Sequence, residues 1–186
     1  MRRSPCGRSA AQHLGAVDAA SESALLGCFG LTEIDRDMTL PMEVITTGLA
    51  YLILPVTASG LERAQIVTDD LEARLAQIGA KFAYVLDARN REGRTWDNLG
   101  RVEDIATGSA AGPVAGYLVK HGLARAGVEM LLRQGRFVGR PSEMRVMVDD
   151  DGILLSGNVR MIARGEFDPA TVRSTPGGSD SAARAS

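Results

Sequence analysis

The stretch EDIATGSAAGPVAGYLVKHG, residues 103–122 of a 186-residue chain, decides the fold. It is helix-length, built from Ala, Gly and other apolar residues, and carries no charge between Asp104 and Lys120. A helix that is small or apolar on every side is a buried one, with neighbouring backbones packed close against it. Pro113 fits such a helix only in its first turn, where no intrahelical N–H is needed, which places the start between Gly108 and Gly112. An acidic pair, Glu103 and Asp104, leads directly into that first turn.

Working outward, the segments on either side read mostly as strands. Residues 43–47 and 50–56 are β-rich runs separated by Gly48, and 82–86 is a third, with 94–96 as a further short candidate. After the buried helix come 128–134, 143–148, 153–155 and 158–163, with Gly152 and Gly157 as turn points. Two surface helices complete the pattern. One spans 19–29 and stops at Gly30; the other spans 69–78, with Asp69 as cap candidate and Gly79 as stop. Strands wrapped around a lone apolar helix predict an α+β roll or barrel, not a βαβ nucleotide fold. Residues 1–17 and 169–186 are polar and rich in small residues, and are expected to be a flexible and a disordered tail flanking a folded unit at 18–168.

Composition excludes several classes. The apolar fraction is 45% and the charged fraction 24%, as in ordinary globular proteins. A net charge of -2 with interleaved signs offers no field for a nucleic-acid backbone. No apolar run reaches the roughly 20 residues of a membrane span. Cys6 and Cys28 form no CxxC pair and read as free thiols of a reducing, cytoplasmic environment, and no metal-ligand spacing is present. Met130, Met144, Met147 and Met161 read as core filler.

The chemistry gathers at the start of the buried helix. A helix start presents unpaired N–H groups and a partial positive charge, and Gly108 and Gly112 leave room for a ligand, so the end suits a carboxylate or another anion. Asp104 has the chemistry of a general acid or base; Thr107 and Ser109 either cap the helix or bond a ligand. Residue types alone leave plain capping and catalysis both open. The Gly-rich turn is neither a Walker loop nor a GxGxxG turn.

Residues 103–122 resemble the EDPATGSAAG-type segment of phenazine-biosynthesis-like (PhzF-like) isomerases. Further matching pieces follow in family order: VITTGLAYLILPV at 44–56, RQG at 133–135, GRPS at 139–142 and MIARGE at 161–166. The resemblance implies a diaminopimelate-epimerase-like fold of two lobes, each a roll around a central helix, with the active site between them. It implies proton-shift isomerisation of a small conjugated or cyclic acid, with no metal or organic cofactor. Asp104 then assists proton transfer or binding, and Ser109 with the backbone N–H groups around Gly108 holds the substrate carboxylate; Thr107 is placed beside them as a substrate-binding residue.

The family's usual Pro is Ile105 here, which is expected to loosen the approach to the helix. The first lobe, with its catalytic Glu, its Gly-His-Ala-Thr helix start and its Gly-Asn-Pro turn, has no counterpart in the sequence. The chain is therefore expected to be a C-terminal lobe that pairs with a separate first lobe or forms a homodimer. The alternative is a non-catalytic remnant that binds a small acid or self-associates. His13 falls in the tail, and His121 lies at the far end of the buried helix, on the order of 18 Å from its start at helical rise. Neither replaces the missing partner. Arg140 and Ser142 read as structural, and Arg94 and Trp96 match the family too loosely to be placed in the site.

Overall fold

The computed structural model describes residues 10–157 and 163–165. Eight strands form one sheet in sequential order: β1 (Gln12–Ala16), β2 (Glu43–Thr46), β3 (Ala50–Pro55), β4 (Phe82–Asp87), β5 (Glu92–Arg94), β6 (Met130–Gln134), β7 (Ser142–Asp149) and β8 (Gly152–Ser156). Neighbours run antiparallel except β3–β4 and β5–β6, which are parallel. Each parallel step needs a long crossover. The first carries helices α2 (Ala58–Arg63) and α3 (Leu71–Gln77); the second carries α4 (Gly108–Lys120). Helix α1 (Ala19–Cys28) bridges β1 and β2.

Helix α4 touches β2 and β3 near one end of the sheet and β7 and β8 at the other, so the sheet curls around it. Every residue of α4 from Ala110 to Leu118 is buried. The buried central helix wrapped by strands is thus present, but it is not alone. Strand β3 splits by alternation: Tyr51 and Ile53 face α4, whereas Leu52 and Leu54 join a second core with Leu25, Leu26, Phe29, Leu61, Leu71 and Leu75 of the other helical segments. A strand covered on both faces must be apolar throughout, which is why AYLILP shows no polar alternation.

Several boundaries differ from those read in the sequence. Gln12–Ala16, placed above with the tail, forms an edge strand against β2, and His13 lies opposite Ile45. The cap of α3 is Asp70, not Asp69. Strand β5 ends at Arg94, with Trp96 held in a separate bridge to Glu103, and β6 begins at Met130, not Val128. Pro113 lies inside α4, one turn beyond its start, and leaves the Ser109 carbonyl without its usual i+4 donor. The helix ends near the predicted Gly30 and Gly79 stops, both with positive φ. The strand expected at 158–163 falls almost wholly outside the described residues, as do Cys6 and Met161; Cys28 is buried as a free thiol. Among the described residues no helix is long and apolar enough to cross a membrane.

Candidate functional site

The approach to α4 is tied down before the helix begins. Arg94, at the end of β5, donates from Nε to Glu103 Oε1 at 3.0 Å and from Nη2 to Oε2 at 2.7 Å. Its Nη1 donates to the carbonyls of Leu61 at 3.0 Å, Glu62 at 3.3 Å and Ala64 at 2.8 Å, which close the end of α2. The guanidinium also lies over Trp96 and Phe137, at 4.7 and 4.4 Å from the ring centres. One residue on, Asp104 N–H donates to Thr95 O at 3.0 Å. Ile105 follows a backbone held by Thr95, just past the end of β5, and a Cβ at Gly135 would lie 2.8 Å from its carbonyl.

Asp104 is exposed and Thr107 is buried. The Thr107 hydroxyl does not cap the helix; it donates to Asp104 Oδ2 at 2.6 Å. Its N–H donates to Gln134 Oε1 at 3.3 Å. Both donors of Thr107 are thus committed inside the protein, so the expected carboxylate-binding role does not fit its hydroxyl in this arrangement. The next two positions behave differently. Ala110 and Ala111 N–H both turn back to Thr107 O, at 3.1 and 3.2 Å, while the Gly108 and Ser109 N–H groups have no partner among the described residues. Gly108 and Ser109 are exposed.

Ser109 Oγ lies 2.8 Å from the Tyr51 hydroxyl. Burial pushes the Tyr51 phenol above its ordinary value, the Ser109 bond opposes this, and the Asp104 charge adds to the rise. The phenol stays protonated at neutral pH and can donate to Ser109, leaving the serine proton for a ligand. A side chain at 108 would come within 3.3 Å of Leu155 Cδ2, and one at 112 within 3.1 Å of Thr47, so glycine keeps the helix start close to β8 and the β2–β3 turn. The result is a small cradle of two outward N–H groups and one hydroxyl beside a carboxylate. Such a cradle can hold an anion with a proton-transfer group next to it.

The structure thus brings together Asp104, Gly108 and Ser109 as read from the sequence. It adds Tyr51 and Gln134, both within segments that carried the family resemblance but neither assigned a task there. It separates the histidines from the site. His121 caps the far end of α4 against Tyr117, and His13 and His121 lie 3.4 and 3.3 Å from the buried carboxylate of Glu43, which Lys120 also holds.

Comparisons with known proteins bear on the family and the fold. The model of the family described as phenazine biosynthesis-like protein matches residues 12–165. A trans-2,3-dihydro-3-hydroxyanthranilate isomerase of Pseudomonas fluorescens is 47% identical over 129 residues, 66% of this chain and 43% of that protein. An uncharacterized isomerase of Escherichia coli K12 is 26% identical over 81% of this chain and 56% of its own. Among solved structures, a predicted epimerase from Pseudomonas aeruginosa aligns with a TM-score of 0.74 at 46% identity, covering 84% of this chain and 57% of that one. A PhzF-family phenazine biosynthesis protein of Bacillus anthracis, 20% identical with a TM-score of 0.62, shares the fold over 80% of this chain and 54% of its own. The chain spans about half the length of the curated relatives it matches. With the match running from the edge strand β1 past β8, the chain belongs to the phenazine biosynthesis-like protein family.

Proposed function

We propose that this chain carries one face of the active site of a cofactor-independent isomerase that shifts a proton on a small conjugated or cyclic acid. The observation that carries the reading is the pair of unpartnered N–H groups at Gly108 and Ser109, set beside Asp104 at the start of a buried helix. The substrate carboxylate sits on those N–H groups and the Ser109 hydroxyl. Asp104 exchanges a proton with the adjacent carbon skeleton. A proton removed at one carbon and returned at another conserves atoms and electrons, so the step needs no co-reactant.

Proton shuttling across a bound acid calls for a second ionisable group on the opposite side. We assign that group to a facing lobe. The roll around α4 is then one lobe of a diaminopimelate-epimerase-like pair, completed by a first lobe or by a second copy, in a cytoplasmic enzyme. The exposed apolar side chains of Val102, next to Glu103, and Leu155, next to Gly108, give such a facing surface something to cover.

The test follows turnover of trans-2,3-dihydro-3-hydroxyanthranilate by absorbance, with the purified chain alone and mixed with the N-terminal lobe of the Pseudomonas fluorescens relative. Activity is expected in the mixture only, and Asp104→Asn is expected to abolish it while leaving the far-UV spectrum and melting temperature unchanged, since Asp104 is exposed. An active Asn variant refutes the role of Asp104. Silence both alone and in the mixture, with benzoate still binding at Gly108 and Ser109, leaves the cradle as a small-acid-binding module.

A further inference from the structure

We infer that Gln134 is the positioning residue of this site: through Thr107 it fixes the Asp104 carboxylate in one orientation, with Oδ2 occupied and Oδ1 left as the oxygen that exchanges a proton. The inference rests on the function proposed above and adds to it which oxygen works and what holds it.

Gln134 ends β6 and is 1% exposed. Four hydrogen bonds surround its carboxamide. Thr107 N–H and the Tyr84 hydroxyl both donate to Oε1, at 3.3 Å each. A backbone N–H can only donate, so this contact alone fixes which end of the amide is oxygen. Nε2 must then face Asp104 O at 2.8 Å and Thr107 Oγ1 at 2.9 Å, donating to both. Burial pushes the Tyr84 phenol up, so it too remains a donor.

The direction of the relay follows. Thr107 Oγ1 accepts from Gln134, which sends its own proton toward Asp104 Oδ2, 2.6 Å away. Among the described residues, the other oxygen, Oδ1, meets only the Ala106 N–H, at a long 3.4 Å. The backbone supports the same placement. Gly135 has φ +84°, and a Cβ there would lie 2.8 Å from Ile105 O, so the chain after Gln134 presses directly on the segment that presents Asp104.

The experiment uses the full chain labelled with 15N and 13C. Three-bond couplings report the Asp104 χ1 rotamer, and exchange with solvent reports the Gln134 side-chain N–H groups. A single Asp104 rotamer is expected in the unaltered chain. Thr107→Ser, which keeps the hydroxyl, is expected to preserve it; Thr107→Val is expected to average it and to speed Gln134 N–H exchange by about tenfold, as the loss of one net hydrogen bond implies. Gln134→Glu keeps the shape but has no donor, and is expected to average the rotamer as well. Should that variant not fold, Thr107→Val, a hydroxyl-for-methyl change, decides the question. Averaged couplings in the unaltered chain, or an unchanged rotamer in Thr107→Val, overturn the inference. Benzoate is added separately: if it leaves the Gly108 and Ser109 amide signals unmoved while the rotamer result holds, the carboxylate cradle fails and the Gln134 relay stands.

Discussion

Replacing Arg94 by Met tests whether the approach to α4 is held by charge or merely by packing. The Arg94 and Glu103 side chains are only 10% and 6% exposed, and they meet through two nearly parallel hydrogen bonds. Met retains most of the apolar stem between Trp96 and Phe137, so the change chiefly removes the charge and its donors. Breaking one side of a buried pair costs about 3–5 kcal/mol because the remaining charge is stranded. The carbonyls of Leu61, Glu62 and Ala64 lose a shared donor as well; the bonds to Leu61 and Ala64 are buried and that to Glu62 is part-buried. We expect a loss of about 4 kcal/mol, a large share of the 5–15 kcal/mol typical of a domain. At 2–4 °C per kcal/mol for a chain of this size, that is on the order of 12 °C in melting temperature. Glu103→Gln should cost less, about 2 kcal/mol, since a neutral acceptor remains. The double variant removes both charges and should be more stable than the sum of the two losses predicts, by about 2 kcal/mol. Urea unfolding of the four proteins at pH 7 closes the cycle. A loss below about 1 kcal/mol for Arg94→Met, or additivity within about 0.5 kcal/mol, refutes the reasoning.

Two further outcomes follow from the same structure. Gly135→Ala forces a Cβ to within 2.3 Å of Arg140 O at φ +84° and should cost about 3 kcal/mol from conformation and crowding together, whereas Gly139→Ala, at φ +71° with nothing within 4 Å, should cost about 1 kcal/mol; equal losses in thermal unfolding would refute the crowding argument. Glu43 is buried; burial raises its carboxyl pKa, but the hydrogen bonds and charges of Lys120 and His121 together outweigh it and hold the net value below the ordinary 4.5. The native state therefore binds fewer protons than the unfolded chain, so this stabilisation is complete above pH 4.5 and disappears as the pH falls through the lower native value. Urea midpoints measured from pH 7 down to about pH 3 should show a flatter acid limb in Glu43→Gln, and an unchanged limb would refute the assignment.

The parts of this fold legible in the sequence are those whose signal lies within one segment. Helix α4 declared itself because burial on all sides leaves no room for charge, and β3 because cover on both faces makes it apolar throughout. Elements that depend on a distant partner were not legible. Strand β1, QHLGA, is exposed at every position and has no apolar alternation; only pairing with β2 makes it a strand. Helix α2 is six residues long and contains Gly60, which reads as a breaker, yet a Cβ at that position would lie 2.6 Å from Asp35 O, so close packing explains the glycine. The site divides in the same way. Asp104, Gly108 and Ser109 share one short segment whose composition marks a helix start, so they could be named together. Gln134 is 30 residues from Asp104 and Tyr51 is 58 from Ser109 in sequence, and nothing in RQG or AYLIL signals what either side chain meets. Their roles arise only when the sheet curls: β6 delivers Gln134 beneath the start of α4 while β3 delivers Tyr51 beside it. The same curl that buries α4 therefore supplies the hydrogen bonds that orient its first turn, and substitutions that loosen β6 should disturb Asp104 without touching it.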